Sequence, residues 1–173
     1  WYIENAINSC LDQIIDDDTD IELIVVDDCS TDNSLQTVNS MFSHYKNIKI
    51  LKNDSNQGIS YSRNRGISAA RGRYIYFLDS DDFIHKRTLV TLSNIIESLD
   101  SRFIGVKTDY IYVDDDDKRS EKISSNERPI ACGILFKKSM LINLGGYNVN
   151  LHSFEELDLF ERINESGKLI AHV

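Results

Sequence analysis

Four polar residues, Asp79-Ser80-Asp81-Asp82, follow directly on the apolar run Tyr74-Ile75-Tyr76-Phe77-Leu78. Tyr, Ile and Phe favour a buried strand, and such a strand has no structural use for three carboxylates at its end. Charges that dense repel one another unless a cation or a solvated ligand sits among them. Hard oxygen donors in that position suggest a divalent cation holding a phosphate. A second acidic pair, Asp27-Asp28, ends another apolar run, Ile21-Glu22-Leu23-Ile24-Val25-Val26. A third group, Glu155, Glu156 and Asp158, opens a segment of helical spacing. Each group alone has a plainer explanation as a turn, a cap or the negative start of a helix. Together they are far more specific than any one of them.

The elements that must position these groups follow from periodicity. Ile3, Ala6, Ile7, Cys10, Leu11, Ile14 and Ile15 recur at helical spacing and predict a helix over 3–15. Residues 21–26 predict a strand buried on both faces. Leu35, Val38, Met41, Phe42 and Tyr45 mark a second helix, and 48–51 a second strand. A helix over 59–71 stopped by Gly72, the strand 74–78 and a helix over 89–99 complete a β-α-β-α-β-α alternation. That alternation predicts an α/β fold, a mostly parallel sheet with helices on both faces. Ligands of such sheets bind beyond the carboxyl ends of the strands. Asp27-Asp28 and Asp79–Asp82 are therefore expected to line one cleft. Further on, one or two strands are expected within 103–113, a strand at 130–136, a short helix at 138–144, a helix at 154–165 and a strand at 169–173. The acidic stretches 16–20 and 114–119 read as solvated loops. Arg63 and Arg65 lie between Gly58 and Gly66 and can pair with phosphates or carboxylates. For Arg63 an internal ion pair and a ligand contact are equally open; Arg65 and Arg71 read as surface charges.

Composition narrows the classes. The chain has 173 residues, 41% of them hydrophobic, with one proline, which suits one globular domain. A net charge of −9 argues against nucleic acid as a non-specific partner. Three cysteines, Cys10, Cys29 and Cys132, lie far apart and predict reduced thiols in a cytoplasmic protein. No apolar run reaches membrane-spanning length, and no secretory leader is read. The start at Trp1 and the strand-like end predict a fragment of a larger protein, truncated at both ends.

The segments Val26-Asp27-Asp28-Cys29-Ser30-Thr31-Asp32-Asn33-Ser34, Asn56-Gln57-Gly58, Ser62-Arg63-Asn64-Arg65-Gly66 and Gly72 to Asp82 resemble family 2 glycosyltransferases of the GT-A fold. Gly145-Gly146-Tyr147 and Phe154 to Arg162 resemble that family's acceptor-side segment. The resemblance runs over nearly the whole chain, with the motifs in order. It implies a GT-A (Rossmann-like) catalytic domain over 1–173, with a nucleotide-sugar-binding half at 1–100 and an acceptor-side half at 101–173. It implies a nucleotide-sugar donor, foremost a UDP-sugar, Mn2+ or Mg2+, and an inverting transfer to a glycan or lipid-linked hydroxyl acceptor. By position Asp28 matches the aspartate that hydrogen-bonds the nucleobase, and Arg63 is a donor-side candidate. Asp79 and Asp81 match the outer members of the Asp-X-Asp metal motif. Glu156 matches the general base, which is Asp in the family's usual Glu-Asp pair; the Glu-Glu pair here leaves Glu155 as an alternative. The family also opens with a central strand that these residues lack, and it is expected in the full protein. Polysaccharide biosynthesis at the cytoplasmic face of a membrane, with peripheral association through other regions, is the family-level expectation. A non-catalytic nucleotide-binding module of the same fold is the rival, motivated by the Glu-Glu pair and the missing strand.

Overall fold

The computed structural model describes residues 2–14, 20–113, 119–128 and 130–173. Residues 15–19 and 114–118, where most of the two expected acidic loops fall, lie outside them, and the first helix stops at Leu11, short of the expected end at residue 15. The chain runs α1 (Tyr2–Leu11), β1 (Leu23–Asp27), α2 (Ser34–Phe42), β2 (Ile48–Lys52), α3 (Ile59–Ala69), β3 (Tyr74–Tyr76), α4 (Thr88–Ser98), β4 (Phe103–Lys107), β5 (Tyr110–Val113), β6 (Arg119–Ile123), β7 (Ile134–Lys137), α5 (Lys138–Asn143), α6 (Glu155–Glu165) and β8 (Leu169–His172). Among the described residues no helix is long and apolar enough to cross a membrane.

β1 and β2 pair in parallel, and α1 and α2 cover them: Ile7, Val38 and Phe42 pack on Leu23, Val25, Ile48 and Ile50. The larger sheet has the order β3-β7-β4-β8. Here β7 runs antiparallel to both β3 and β4, while β8 lies parallel to β4. The α/β layering is as expected; the sheet is more mixed than the alternation suggested, because β7 enters in reverse between β3 and β4. The strands Tyr110–Val113 and Arg119–Ile123 form a separate antiparallel hairpin.

Alternation along β7 divides the core. Ile134 and Phe136 face a cluster with Ile67 of α3, Leu141 of α5, and Leu159 and Ile163 of α6. Leu135 faces the other way, toward Leu92 and Ile96 of α4. Helices therefore cover both faces, and α3 and α6 are brought onto the same side. Gly105 in β4 lets the strands close up, because a Cβ there would meet Leu135 O at 2.9 Å.

One side-chain clip fixes the turn before α6. Asn64 Nδ2 donates to Tyr147 O at 2.7 Å, and Tyr147 N donates to Asn64 Oδ1 at 2.8 Å. Gly146, at φ +68, sits against this amide; a Cβ there would lie 2.4 Å from Asn64 Oδ1. The Gly-Gly-Tyr segment is thereby pinned to α3.

Candidate active site

At the end of β1 the backbone turns through Cys29 at φ 61, a left-handed conformation unusual for a residue other than glycine. The turn presents Asp28 to the loop ahead of α3. Asp28 Oδ1 accepts from Asn53 Nδ2 at 2.7 Å and from Gln57 N at 2.8 Å; its Oδ2 accepts from Gly58 N at 2.7 Å. Burial pushes its pKa up, but the bonds from Asn53, Gln57 and Gly58 outweigh burial and hold it below the usual carboxylate range. Asp28 is thus fixed as an anion. Asp27 beside it is 7% exposed; one oxygen accepts from Ser30 N at 3.3 Å and the other has no partner among the described residues.

The ends of β1 and β3 do not pair, yet they share a groove of about 430 Å³ lined by Val25, Val26, Asp27, Asp28, Ser80 and Asp81. The expectation that the two acidic strand ends face one cleft is met there. Asp79 turns elsewhere. Its carboxylate, that of Asp82 and the Cys132 thiol offer ligand atoms all within 4.8 Å of one another. Asp82 is raised by burial and then by the negative charges of Asp79 and Asp81. Cys132 is buried, its thiol pushed up by burial and by the Asp79 carboxylate it hydrogen-bonds. Nothing in the sequence marks Cys132 as a partner of these carboxylates. The bridge between Phe77 and Cys132 that brings them together joins positions with no sequence signal in common.

Arg63, on α3 and 9% exposed, is the hub of the site. Its Nη2 lies 3.2 Å from Asp79, and its Nη1 lies 3.3 Å from Glu155 and 3.1 Å from Glu156. The guanidinium also stands over the rings of Phe77 and Tyr147, at 5.9 and 5.1 Å from their centroids. Burial alone would lower its pKa; Tyr147, Asp79 and Glu156 more than reverse that, so Arg63 stays charged. Of the two roles open for Arg63, the ion pair is the one with geometry behind it. Arg65 is not a surface charge: its Nη1 donates to Lys52 O at 2.5 Å and to Asn53 Oδ1, fixing the end of β2. Arg71 is exposed and pairs with Glu22 at 3.4 Å, as expected.

On the other wall, Glu155 and Glu156 open α6, where a helix N-terminus favours negative charge. Burial raises the pKa of Glu156 above the usual carboxylate range, and Arg63 and the Ala131 N–H only partly offset it. A carboxylate of that kind can hold or release a proton nearer neutrality. Phe154, the residue before the pair, has φ 63 and projects outward. Three carboxylates, those of Asp79, Glu155 and Glu156, thus converge on one guanidinium.

The model of the family described as Glycosyl transferase family 2 matches residues 2–154. The chain belongs to glycosyl transferase family 2. Among its relatives is an uncharacterized glycosyltransferase of Haemophilus influenzae, 33% identical over 127 residues, which are 73% of this chain and 49% of that protein. Another is the poly(ribitol-phosphate) beta-N-acetylglucosaminyltransferase TarS of Staphylococcus aureus, 36% identical over 61% of this chain and 18% of that protein. The chain thus spans half or less of the length of these relatives. The structure of TarS 1-349 in complex with UDP-GlcNAc superposes over 99% of this chain and 52% of that one, with a TM-score of 0.80 at 22% identity. A mannosyltransferase of Pyrobaculum calidifontis in complex with GDP-Man and Mn2+ superposes over 99% of this chain and 50% of its own, with a TM-score of 0.75 at 18% identity. These likenesses establish the GT-A fold for this family 2 domain.

Proposed function

We propose that this family 2 domain transfers a sugar from a nucleotide-sugar, foremost a UDP-sugar, to a hydroxyl group of a glycan or lipid-linked acceptor, with inversion at the anomeric carbon. The observation that carries the reading is Arg63, which joins Asp79 at the end of the β3 segment to Glu155 and Glu156 on α6. A donor lying in the groove at Asp27, Asp28 and Asp81 would thereby be set against the carboxylates of α6. The UDP-GlcNAc complex of TarS and the GDP-Man and Mn2+ complex of the Pyrobaculum calidifontis mannosyltransferase support the same class of donor and a divalent metal.

The donor set suits a hard cation. Asp79 and Asp82 bring carboxylate oxygens into one cluster beside the Cys132 thiol, which burial keeps protonated and out of the ligand set, and Asp81 lies on the adjoining groove wall. Asp79 and Asp81, with Asp82 in reach of Asp79, are the residues that would hold Mn2+ or Mg2+. When bound, such a cation neutralises the charge that develops on a departing nucleoside diphosphate. Asp28 keeps the nucleoside end of the groove anionic and rigid, available to a base N–H. Arg63 serves the donor indirectly, by aligning Asp79. Glu156 takes the proton from the attacking acceptor hydroxyl, and attack from the face opposite the leaving group inverts the centre. Such chemistry suits polysaccharide assembly at the cytoplasmic side of a membrane.

The test is release of the free nucleotide (UDP, GDP or CMP) from a panel of UDP-, GDP- and CMP-sugars with Mn2+, comparing the protein with Asp81→Ala. The variant is expected to lose turnover, and unchanged turnover would overturn the metal assignment. Tight nucleotide binding without transfer to any acceptor would favour the non-catalytic module instead.

A further inference from the structure

Gln13 lies just past the end of α1 and is buried, with both amide hydrogens and the carbonyl oxygen of its side chain engaged. Its Nε2 donates to Ser9 O at 2.9 Å and to His85 O at 3.0 Å. Its Oε1 accepts from Leu89 N at 3.0 Å. The last carbonyls of a helix and the first N–H groups of the next have no partners within their own helices. Arg87, which precedes α4, supplies no side-chain cap. One carboxamide therefore closes the end of α1 and the start of α4 together, across 76 residues of sequence.

Two neighbours extend the clip along the irregular segment 83–87. Ile84 N donates to Ser9 Oγ at 3.2 Å, and Ile14 N donates to Lys86 O at 2.7 Å. This segment forms no helix or strand and begins directly after Asp82, whose N–H closes a turn on Asp79 O at 3.2 Å. On its other side α1 packs through Ile7 on Val38 and Phe42, and it lends Tyr2 and Ile3 to the groove that holds Asp27 and Asp28. β1 and β3 share no ladder of hydrogen bonds, so the sheet does not set the spacing between Asp27-Asp28 and Asp79–Asp82. Helices set it: α3 meets both sheets, and the α1 clip holds the chain that leaves Asp82.

We propose that Gln13 is a positioning residue for the divalent cation: through the segment 83–87 its carboxamide fixes the Asp79–Asp82 turn relative to the groove. This rests on the cation-dependent transfer proposed above. Carboxylates hold a small hard cation well only when their oxygens are already in place. Groups that orient such ligands without touching the metal typically set about 10–100-fold in affinity. A neutral amide is suited to the task, because it grips two carbonyls and an N–H at once. A carboxylate in its place would face the two carbonyls with no hydrogen to give, and an apolar side chain would leave all three groups unpaired.

The test is Mn2+ titration of the protein in the presence of UDP, read from the paramagnetic resonance of the free ion, with folding checked by circular dichroism. Gln13→Met keeps the length of the side chain and removes all three bonds; it is expected to weaken Mn2+ binding about 10-fold. Ser9→Ala removes the bond to Ile84 N and is expected to weaken it about 3-fold. Ile104→Val, a change in the buried core of β4 outside the clip, is expected to lower Tm and leave Mn2+ binding unchanged. Mn2+ held equally tightly by the unaltered protein and by folded Gln13→Met overturns the positioning role, and so does an equal loss in Ile104→Val. Should Gln13→Met fail to fold, unchanged Mn2+ binding in Ser9→Ala overturns it. UDP bound without Mn2+ by the unaltered protein overturns the metal assignment of the proposed function and this role with it.

Discussion

Two turns that carry acidic pairs of the site are built alike. Each carries an acidic pair next to a residue other than glycine at positive φ: Cys29 beside Asp27-Asp28, and Phe154 beside Glu155-Glu156. Their electrostatics are opposite. Asp28 is gripped by three N–H donors, two of them backbone, and its pKa falls. Glu156 shares a guanidinium with two other carboxylates, is more deeply buried, and its pKa rises. Directed hydrogen bonds favour the anion, whereas burial disfavours it. The same residue class is thus held as an anion at one turn and made easier to protonate at the other.

Removing the carboxylate proposed to accept the proton is the strongest way to break this contrast. Glu156→Gln is expected to lower transfer by about 10²–10⁴-fold, the range of a general base, while calorimetry shows UDP binding retained. Comparable losses of both would mean that the two turns are not separate in function. The acid limb of the rate profile should also lie above pH ~4.3, the ordinary glutamate value. Because Arg63 partly opposes the rise, Arg63→Gln should move that limb further up.

Arg63→Gln should also unfold at markedly lower urea. Taking the cation from buried carboxylates costs about 3–5 kcal/mol, and the half-exposed Asp79 places this case at the lower end. Arg63→Lys should recover part of the loss. An unchanged urea midpoint would remove Arg63 as the hub.

At the other turn, Asp28→Asn should cost about 1 kcal/mol, since the carboxylate is partly open to solvent. Here the sign of the pH effect is fixed. A lowered native pKa gives stability that is present above the unfolded value of about 3.9 and lost as pH falls through the native one. Asp28→Asn should therefore flatten the acid side of the stability curve, and an equally steep curve would show that Asp28 is not the gripped anion.

The smallest effect sharpens the likeness of the turns. Cys29→Gly removes a left-handed penalty of about 1 kcal/mol and should raise the urea midpoint slightly. A loss of stability would mean that the Cys29 side chain contributes more than its strain costs.

Much of the scaffold was legible because burial writes itself into residue type. The apolar runs before Asp27 and Asp79 are strands, with β3 proper ending at Tyr76, and the spacing from Leu159 to Ile163 is a helix that buries both residues. Strand direction carries no such mark, which is why the reversed entry of β7 could not be read. The strand Arg119–Ile123 reads Arg-Ser-Glu-Lys-Ile and has no apolar alternation; it exists because β5 lies beside it. In the site, residue identities pointed to the acidic groups and to the family. Their partnerships did not follow: Arg63 meets Glu155 across 92 residues, and Arg65 meets the end of β2 where a free surface charge was expected. Pairings of that span depend on the completed core, not on spacing.

The contact between Gly146 and Asn64 has a consequence on the time scale of descent. A methyl group at position 146 would intrude on the amide that holds the Tyr147 backbone from both sides. A lineage that abandons glycine there must also shorten or replace Asn64, and it then loses the clip between α3 and the Gly-Gly-Tyr turn. The two positions, 82 residues apart in the gene, are expected to drift together or not at all.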